Sequence, residues 1–124
     1  MDPNIPRVKE FNKKYLSNIQ RSNIQKGPPP AHVEFDLHGS CSRRCAFCPR
    51  VDDKKWPNLE EQFEESLYLK IISELRDAWD YSGRISWSGY SEPTMHKDLF
   101  KLIKLTKKIL PKCTLDIVSN GDFL

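Results

Sequence analysis

Residues 31–48 have the sequence Ala-His-Val-Glu-Phe-Asp-Leu-His-Gly-Ser-Cys-Ser-Arg-Arg-Cys-Ala-Phe-Cys and combine two patterns. Val33, Phe35 and Leu37 alternate with polar residues, which is the period of two that is typical of a β-strand. Gly39-Ser40 ends the predicted strand, and a group of cysteines follows at once. The stretch therefore predicts a strand whose carboxyl end leads directly into a cysteine-bearing loop.

Helices and strands alternate after a loop-like stretch over residues 49–62. The spacing predicts a helix from about Glu64 to Trp79, a strand from Arg84 to Ser88, a helix from about Lys97 to Leu110 and a strand from Thr114 to Ser119. Strand–helix alternation of this kind predicts an α/β fold with a parallel sheet and right-handed crossovers. The predicted buried faces are Leu69, Ile72, Leu75 and Trp79 in the first helix, and Leu99, Ile103, Thr106 and Leu110 in the second.

The first 30 residues differ in character from the rest. Val8, Phe11, Tyr15 and Ile19 recur at helical spacing, so we expect a short amphipathic helix, and Gly27-Pro28-Pro29-Pro30 then acts as a proline-rich linker. We expect residues 1–30 to form an N-terminal extension and residues 31–124 to form an incomplete domain. The reason is that a parallel sheet needs cover on both faces, which three strands and two helices do not supply.

Composition excludes several classes of protein. The apolar fraction of 38% and the charged fraction of 30% fit a globular chain, and no apolar run is long enough to span a membrane. The N-terminus lacks the features of a secretory signal, so we expect a cytoplasmic protein. The net charge of +3 is too small to indicate nucleic-acid binding.

The four cysteines divide into a cluster and a single residue. Cys41, Cys45 and Cys48 lie within eight residues of sequence, which in a cytosolic chain indicates a metal or redox site more than disulfides. Three thiolates that bind a four-iron cluster would leave one iron open to a small molecule, because such a cluster normally takes four cysteines. Cys113 begins a buried strand and is predicted to act as a small hydrophobic residue.

Three motifs together resemble the radical S-adenosylmethionine (radical SAM) superfamily. Cys41-x3-Cys45-x2-Cys48, with aromatic Phe47 just before the third cysteine, is the signature spacing of that family. Residues 88–93, Ser-Gly-Tyr-Ser-Glu-Pro, are similar to its glycine-rich segment after the second strand, although Ser91 stands where glycine is common. Ser119-Asn120-Gly121 is similar to its Thr-Asn-Gly turn. The resemblance covers about residues 31–124 and implies the N-terminal portion of a parallel (β/α) partial TIM-like barrel, with three βα units.

The resemblance also implies a site and two cofactors. A [4Fe-4S] cluster would be held by the catalytic Cys41, Cys45 and Cys48, with S-adenosyl-L-methionine (SAM) on its open iron. Phe47 would contact the adenine, and the glycine-rich loop would bind the amino group of the cofactor. The implied cofactor-binding residues are Phe47, Gly89, Tyr90, Ser91, Glu92, Ser119 and Asn120.

The implied activity is reductive cleavage of SAM. The cleavage yields a 5′-deoxyadenosyl radical, which takes a hydrogen atom from an unknown substrate, whether peptide, sugar or small molecule. Such an enzyme is an oxidoreductase or a transferase, and it needs an electron donor such as flavodoxin or ferredoxin. Arg43 and Arg44 are expected to offset the negative charge of the cluster.

Other interpretations of the same residues stay open at this point. The cysteines are also compatible with a zinc- or iron–sulfur-binding module without catalysis, in which His38 is the fourth ligand, or with an inactive truncated fragment. Phe47 is also compatible with a core position and Glu92 with a surface acid. We expect His96 to cap or pack against the second helix.

Overall fold

The computed structural model describes residues 27–124. The regular elements are β1 (His32–Phe35), α1 (Glu65–Trp79), β2 (Arg84–Trp87), α2 (Leu99–Ile109) and β3 (Thr114–Ile117). Their order is the predicted one, and their ends differ from the predicted ends by at most three residues, the largest difference being at the end of β1. The predicted N-terminal helix lies outside the described residues, whereas the proline-rich stretch after it is exposed and without regular structure.

The three strands form one parallel sheet in the order β1-β2-β3. The register aligns Phe35 with Trp87 and Trp87 with Ile117. Each pair of neighbouring strands is connected by one helix, so the chain contains two successive βαβ units. The predicted parallel α/β fold is therefore confirmed, and the carboxyl ends of all three strands lie at the same edge of the sheet.

The core lies between the two helices and one face of the sheet. Phe35, Ile85 and Trp87 on the strands are buried together with residues from both helices. The rings of Phe35 and Tyr68 lie 4.7 Å apart, which joins β1 to α1. Both helices are amphipathic. Within residues 27–124, no helix has the length and apolar character that crossing a bilayer requires.

The buried stripes of the helices differ in part from those predicted. Tyr68 is buried with Ile72 and Leu75 on α1, whereas Leu69 and Trp79 are only partly buried. Burial of Tyr68 is possible because its hydroxyl forms a 2.6 Å hydrogen bond with the Thr106 hydroxyl, and burial raises the pKa of Tyr68 to about 12. On α2, Leu102 is fully buried and the predicted Ile103 is only partly so.

The other face of the sheet is polar. His32, Ser86 and Asp116 lie on this face because they alternate along their strands with the core residues. The His32 ring hydrogen bonds to the Ser86 hydroxyl at 2.5 Å, and Arg84 forms an ion pair with Asp116. Two polar pairs thus lie on this face, and among residues 27–124 both helices pack on the opposite side of the sheet.

Residues 59–63, predicted to belong to a loop, instead run beside the segment that leaves β1. The Gly39 amide donates to the Glu61 carbonyl at 2.8 Å, and the Leu59 amide donates to the Gly39 carbonyl at 3.0 Å. The Phe63 amide donates to the Leu37 carbonyl at 2.9 Å, so the two segments are antiparallel. This pairing fixes the chain just before the first cysteine of the cluster.

Cys113 confirms its predicted role. It is buried, and its thiol donates to the Tyr81 carbonyl at 3.2 Å. Burial raises the pKa of the Cys113 thiol, as expected for a thiol that stays protonated in a core.

Replacement of Ile72 tests this packing. We expect Ile72→Ala to lower the free energy of unfolding by about 3 kcal/mol, because the side chain is fully buried and its removal leaves a cavity. Leu67→Ala is the matched control, since Leu67 is exposed on the same helix and should change stability by about 0.5 kcal/mol or less. Urea unfolding followed by circular dichroism measures both. Equal effects of the two changes would contradict the proposed core.

Candidate functional site

The cysteine loop is held by backbone and amide contacts. The Cys48 amide donates to the Cys45 carbonyl at 2.9 Å, and the Val51 amide donates to the Cys48 carbonyl at 3.0 Å, so Cys48 begins the 3-10 turn Pro49–Val51. Asn58 pairs with the Cys41 backbone twice, accepting from its amide and donating to its carbonyl, at 3.2 Å each. All three thiols are free and partly exposed.

The chemistry of the donor set fits a soft metal centre. Thiolates are the ligands of iron–sulfur clusters, and the three cysteines lie on one short loop. Their residue types and their placement on this loop are therefore compatible with an iron–sulfur cluster.

The turn after β3 reaches the cysteine loop. The Asn120 side-chain amide lies 3.7 Å from the Cys41 sulfur and donates to the Ser42 hydroxyl at 2.9 Å. Residues 41 and 120 are far apart in sequence, and the parallel sheet brings them together at its carboxyl edge. The first and third motifs therefore meet in space.

Glu92 joins the second motif to the third. Its side chain accepts from the Thr94 amide at 3.1 Å, from the Ser119 hydroxyl at 2.7 Å and from the Asn120 amide at 2.8 Å. Glu92 is only 2% exposed, so the interpretation as a surface acid is wrong. Burial alone would raise the pKa of Glu92, but the hydrogen bonds from Thr94, Asn120 and Ser119 outweigh it and lower the pKa below its usual value.

The loop after β2 packs against Asp36, a residue that the sequence analysis did not select. Gly89 has a φ of +109°, and a Cβ at this position would lie 2.8 Å from the Asp36 carboxylate, so only glycine fits here. Asp36 accepts from the Tyr90 amide at 3.2 Å and also from the Ser91 hydroxyl. Ser91, which departs from the usual glycine, thus has a hydrogen-bonding partner of its own.

The expected effect of Arg43 and Arg44 on the charge of the cluster stays a prediction, and in the structure both arginines have acidic partners. Arg43 pairs with Asp122, whose pKa is lowered by that hydrogen bond, and Arg44 pairs with Asp53. Both arginines are thus already paired with acids at the surface. Arg50, which lies two residues after Cys48, is instead buried at 5% exposure, and nothing in the sequence around it distinguishes it from a surface arginine.

Phe47 and Tyr90 are exposed aromatic residues beside the cysteine loop. Phe47 is 93% exposed, so the interpretation as a core residue is wrong. The Tyr90 ring lies 5.5 Å from the Trp56 ring. An exposed aromatic face next to the cysteines is suited to stack on a planar ligand such as adenine.

The two histidines near the site have structural contacts. The His38 ring accepts from the Ser40 amide at 3.0 Å, and burial, with the neighbouring His96 and Arg50, lowers the pKa of His38. His96 is buried, and its ring accepts from the Asp98 amide at 3.2 Å just before α2 begins. His96 was expected to cap or pack against this helix; it is a buried packing residue, because no side chain caps α2 and Asp98 is its N-cap.

Two comparisons with known proteins agree with this geometry. The chain is 32% identical over 92 residues to the S-adenosyl-L-methionine-dependent 2-deoxy-scyllo-inosamine dehydrogenase of Niallia circulans. It also matches the crystal structure of BtrN in complex with AdoMet and 2-DOIA, with a TM-score of 0.67 and 30% identity over 76% of the chain. The predicted resemblance to the radical SAM superfamily is thus confirmed over this shared region. No protein-family model matches the chain.

The radical SAM likeness covers part of each relative. The chain spans 36% of the length of the Niallia circulans dehydrogenase and 37% of the BtrN chain. A weaker match is to the GTPase Obg of Brachyspira hyodysenteriae, with 32% identity over 101 residues and 14% of that protein covered. The sequence contains no G-x4-G-K-[ST] phosphate-binding loop, so this match gives no support for GTP binding.

The charge of Glu92 makes stability depend on pH. Its pKa is lower in the folded chain than in the unfolded chain, so its contribution is present above the ordinary glutamate pKa of about 4.3 and is lost as the pH falls through the folded value. We expect Glu92→Gln to reduce the free energy of unfolding by about 2 kcal/mol at pH 7, with the difference from wild type narrowing below about pH 4. Urea unfolding across this range measures it. Glu60→Gln, at an exposed position, should leave the free energy of unfolding unchanged at every pH. If Glu92→Gln lowered the free energy of unfolding by the same amount at every pH, the result would argue against a charged Glu92.

Proposed function

We propose that the chain is the cofactor-binding part of a radical SAM enzyme, in which Cys41, Cys45 and Cys48 hold a [4Fe-4S] cluster. The observation that supports this most is the convergence of the three motifs at the carboxyl edge of the sheet. Asn120 lies beside the Cys41 sulfur, and its backbone amide donates to Glu92. A zinc or iron–sulfur module without catalysis would need the cysteines but not this convergence of the two other motifs upon them.

We assign each part of the site a separate role in binding the two cofactors. The cysteines bind iron through three ligands and leave one iron for the amino and carboxylate groups of SAM. Residues 89–92 and the Ser119-Asn120 turn provide backbone carbonyls and a carboxylate as acceptors for the ammonium group. Phe47 provides an exposed ring for the adenine. When bound, the cluster supplies the electron for reductive cleavage of SAM, which gives the 5′-deoxyadenosyl radical that abstracts hydrogen.

The substrate and the electron donor belong to the same proposal. A relative is named for dehydrogenating 2-deoxy-scyllo-inosamine, a ring that carries hydroxyl and amino groups. On the polar face of the sheet, the exposed carboxylate of Glu34 is chemically suited to a hydroxylated or aminated small molecule. We take the reductant to be a small one-electron carrier such as flavodoxin or ferredoxin.

Anaerobic reconstitution tests the cluster. Wild-type protein should bind about four iron atoms per chain, with the brown colour of an iron–sulfur protein. Cys41→Ser, Cys45→Ser and Cys48→Ser should each lose most of this iron, because a hydroxyl is a poor substitute for a thiolate ligand. Cys113→Ser is the matched control and should retain iron, since Cys113 is buried in the core away from the cysteine loop.

The outcomes separate the alternatives. Bound zinc with all positions filled by side chains would favour the non-catalytic module. Bound iron without formation of 5′-deoxyadenosine from SAM and dithionite would favour an inert fragment.

Phe47→Ala tests the adenine contact. We expect the affinity of the reconstituted protein for SAM to fall about tenfold with iron content unchanged, because stacking of a base on an aromatic side chain contributes about 1–3 kcal/mol. Equilibrium dialysis with labelled SAM measures the affinity. Phe100→Ala is the control, since Phe100 is exposed on α2. An equal loss in both variants would remove Phe47 from the site.

A further inference from the structure

The backbone of Tyr90 is hydrogen-bonded by charged side chains through both its N–H and its C=O. Its N–H donates to the Asp36 carboxylate at 3.2 Å, and its C=O accepts from Nε of Arg50. Asp36 follows β1, whereas Arg50 lies in the 3-10 turn that begins at Cys48. The exposed Tyr90 ring takes no part in these bonds. Asp36 and Arg50, together called the clamp, therefore act on the backbone of the loop rather than on the Tyr90 side chain.

Arg50 connects this loop to two further segments. Its Nη2 donates to the Gly39 carbonyl at 3.0 Å, and its Nη1 lies 3.3 Å from the Asn58 side-chain oxygen. Among residues 27–124 no carboxylate forms an ion pair with it. A buried guanidinium without an acid partner is costly and has to be compensated by hydrogen bonds. The N–H groups of the Arg50 guanidinium therefore hold three segments in place relative to one another, those that contain Tyr90, Gly39 and Asn58.

Asp36 completes the arrangement on the opposite side. It also accepts from the Ser91 hydroxyl, and its carboxylate occupies the space that a side chain at position 89 would need. Asp36 therefore sets both the position and the glycine requirement of the loop. Glu92, which follows Ser91, does not depend on Asp36, because its backbone amide donates to the Ser40 carbonyl at 3.0 Å.

We propose that Asp36 and Arg50 are positioning residues that fix the Gly89–Glu92 backbone relative to the cysteine loop, in the orientation that the amino-acid portion of SAM requires. This inference rests on the proposed function, since it assigns that loop to SAM. Because Arg50 lies two residues after Cys48, the conformation of the cysteine loop determines where the Tyr90 carbonyl is held. Neither residue needs to touch the cofactor itself.

Amide hydrogen exchange of the iron-free full chain tests the clamp without any cofactor. In Arg50→Gln and Asp36→Asn we expect the Tyr90 amide to exchange at least tenfold faster than in wild type, while amides in the middle of α1 keep their wild-type rates. Arg50→Lys keeps the charge but lacks the Nε donor, and it should show the same acceleration. Lys55→Gln removes a charge from the same loop at an exposed position and should leave the Tyr90 amide unchanged. If Arg50→Gln fails to fold, Asp36→Asn and Arg50→Lys provide the test.

Cofactor binding by the reconstituted protein completes the test. Arg50→Lys and Asp36→Asn should retain wild-type iron content but bind SAM at least fivefold more weakly, as measured by equilibrium dialysis. If both variants kept the wild-type exchange rates and the wild-type affinity for SAM, the positioning role of Asp36 and Arg50 would be overturned. The proposed function would not be affected by that result. Wild-type protein that binds iron but no SAM would instead refute the proposed function, and the role assigned to the clamp with it.

Discussion

The site depends on the compensation of one buried carboxylate. Glu92 lies at the carboxyl edge of the sheet, where leaving its charge without partners would cost several kcal/mol. Its hydrogen bonds come from Thr94 in its own turn and from Ser119 and Asn120 after β3. The parallel sheet places the ends of β2 and β3 side by side, and the charge fixes the loops after them to each other. Hydrogen bonds to this one carboxylate thus join the second motif to the third, and the Asn120 side chain reaches the Cys41 sulfur.

Much of the fold could be predicted because its elements have strong periodicity. The alternation at Val33, Phe35 and Leu37 and the helical spacing around Ile72 and Leu75 gave the correct element order, and the burial of Cys113 was also predicted. Errors arose where tertiary contacts override a hydropathy pattern. The predicted stripe contained Leu69 in place of Tyr68, and only the structure places the Thr106 hydroxyl opposite the Tyr68 hydroxyl. The pairing of residues 59–63 with the end of β1 was missed because it depends on backbone hydrogen bonds and not on an apolar pattern.

The site was predictable where its residues form a local motif, and not where they act across the fold. The spacing of the cysteines and the loop around Gly89 could be recognised from the sequence, whereas the roles of Asp36 and Arg50 could not. Charged residues in loops are usually solvated, so residue type alone gives no signal that Arg50 is buried. Arg43, a charged residue of the cysteine motif, pairs with Asp122 at the surface. Its expected effect on the charge of the cluster stays a prediction.

The strand-like pairing of residues 59–63 makes the sheet asymmetric. Just beyond β1, backbone groups of Leu37 and Gly39 are already hydrogen-bonded to this segment and cannot pair with another strand there. At the opposite border, Ile117 and Val118 on and just after β3 are exposed. Within residues 27–124, the backbone beside the start of the cysteine loop is thus shielded by the chain itself, whereas the β3 border presents apolar side chains.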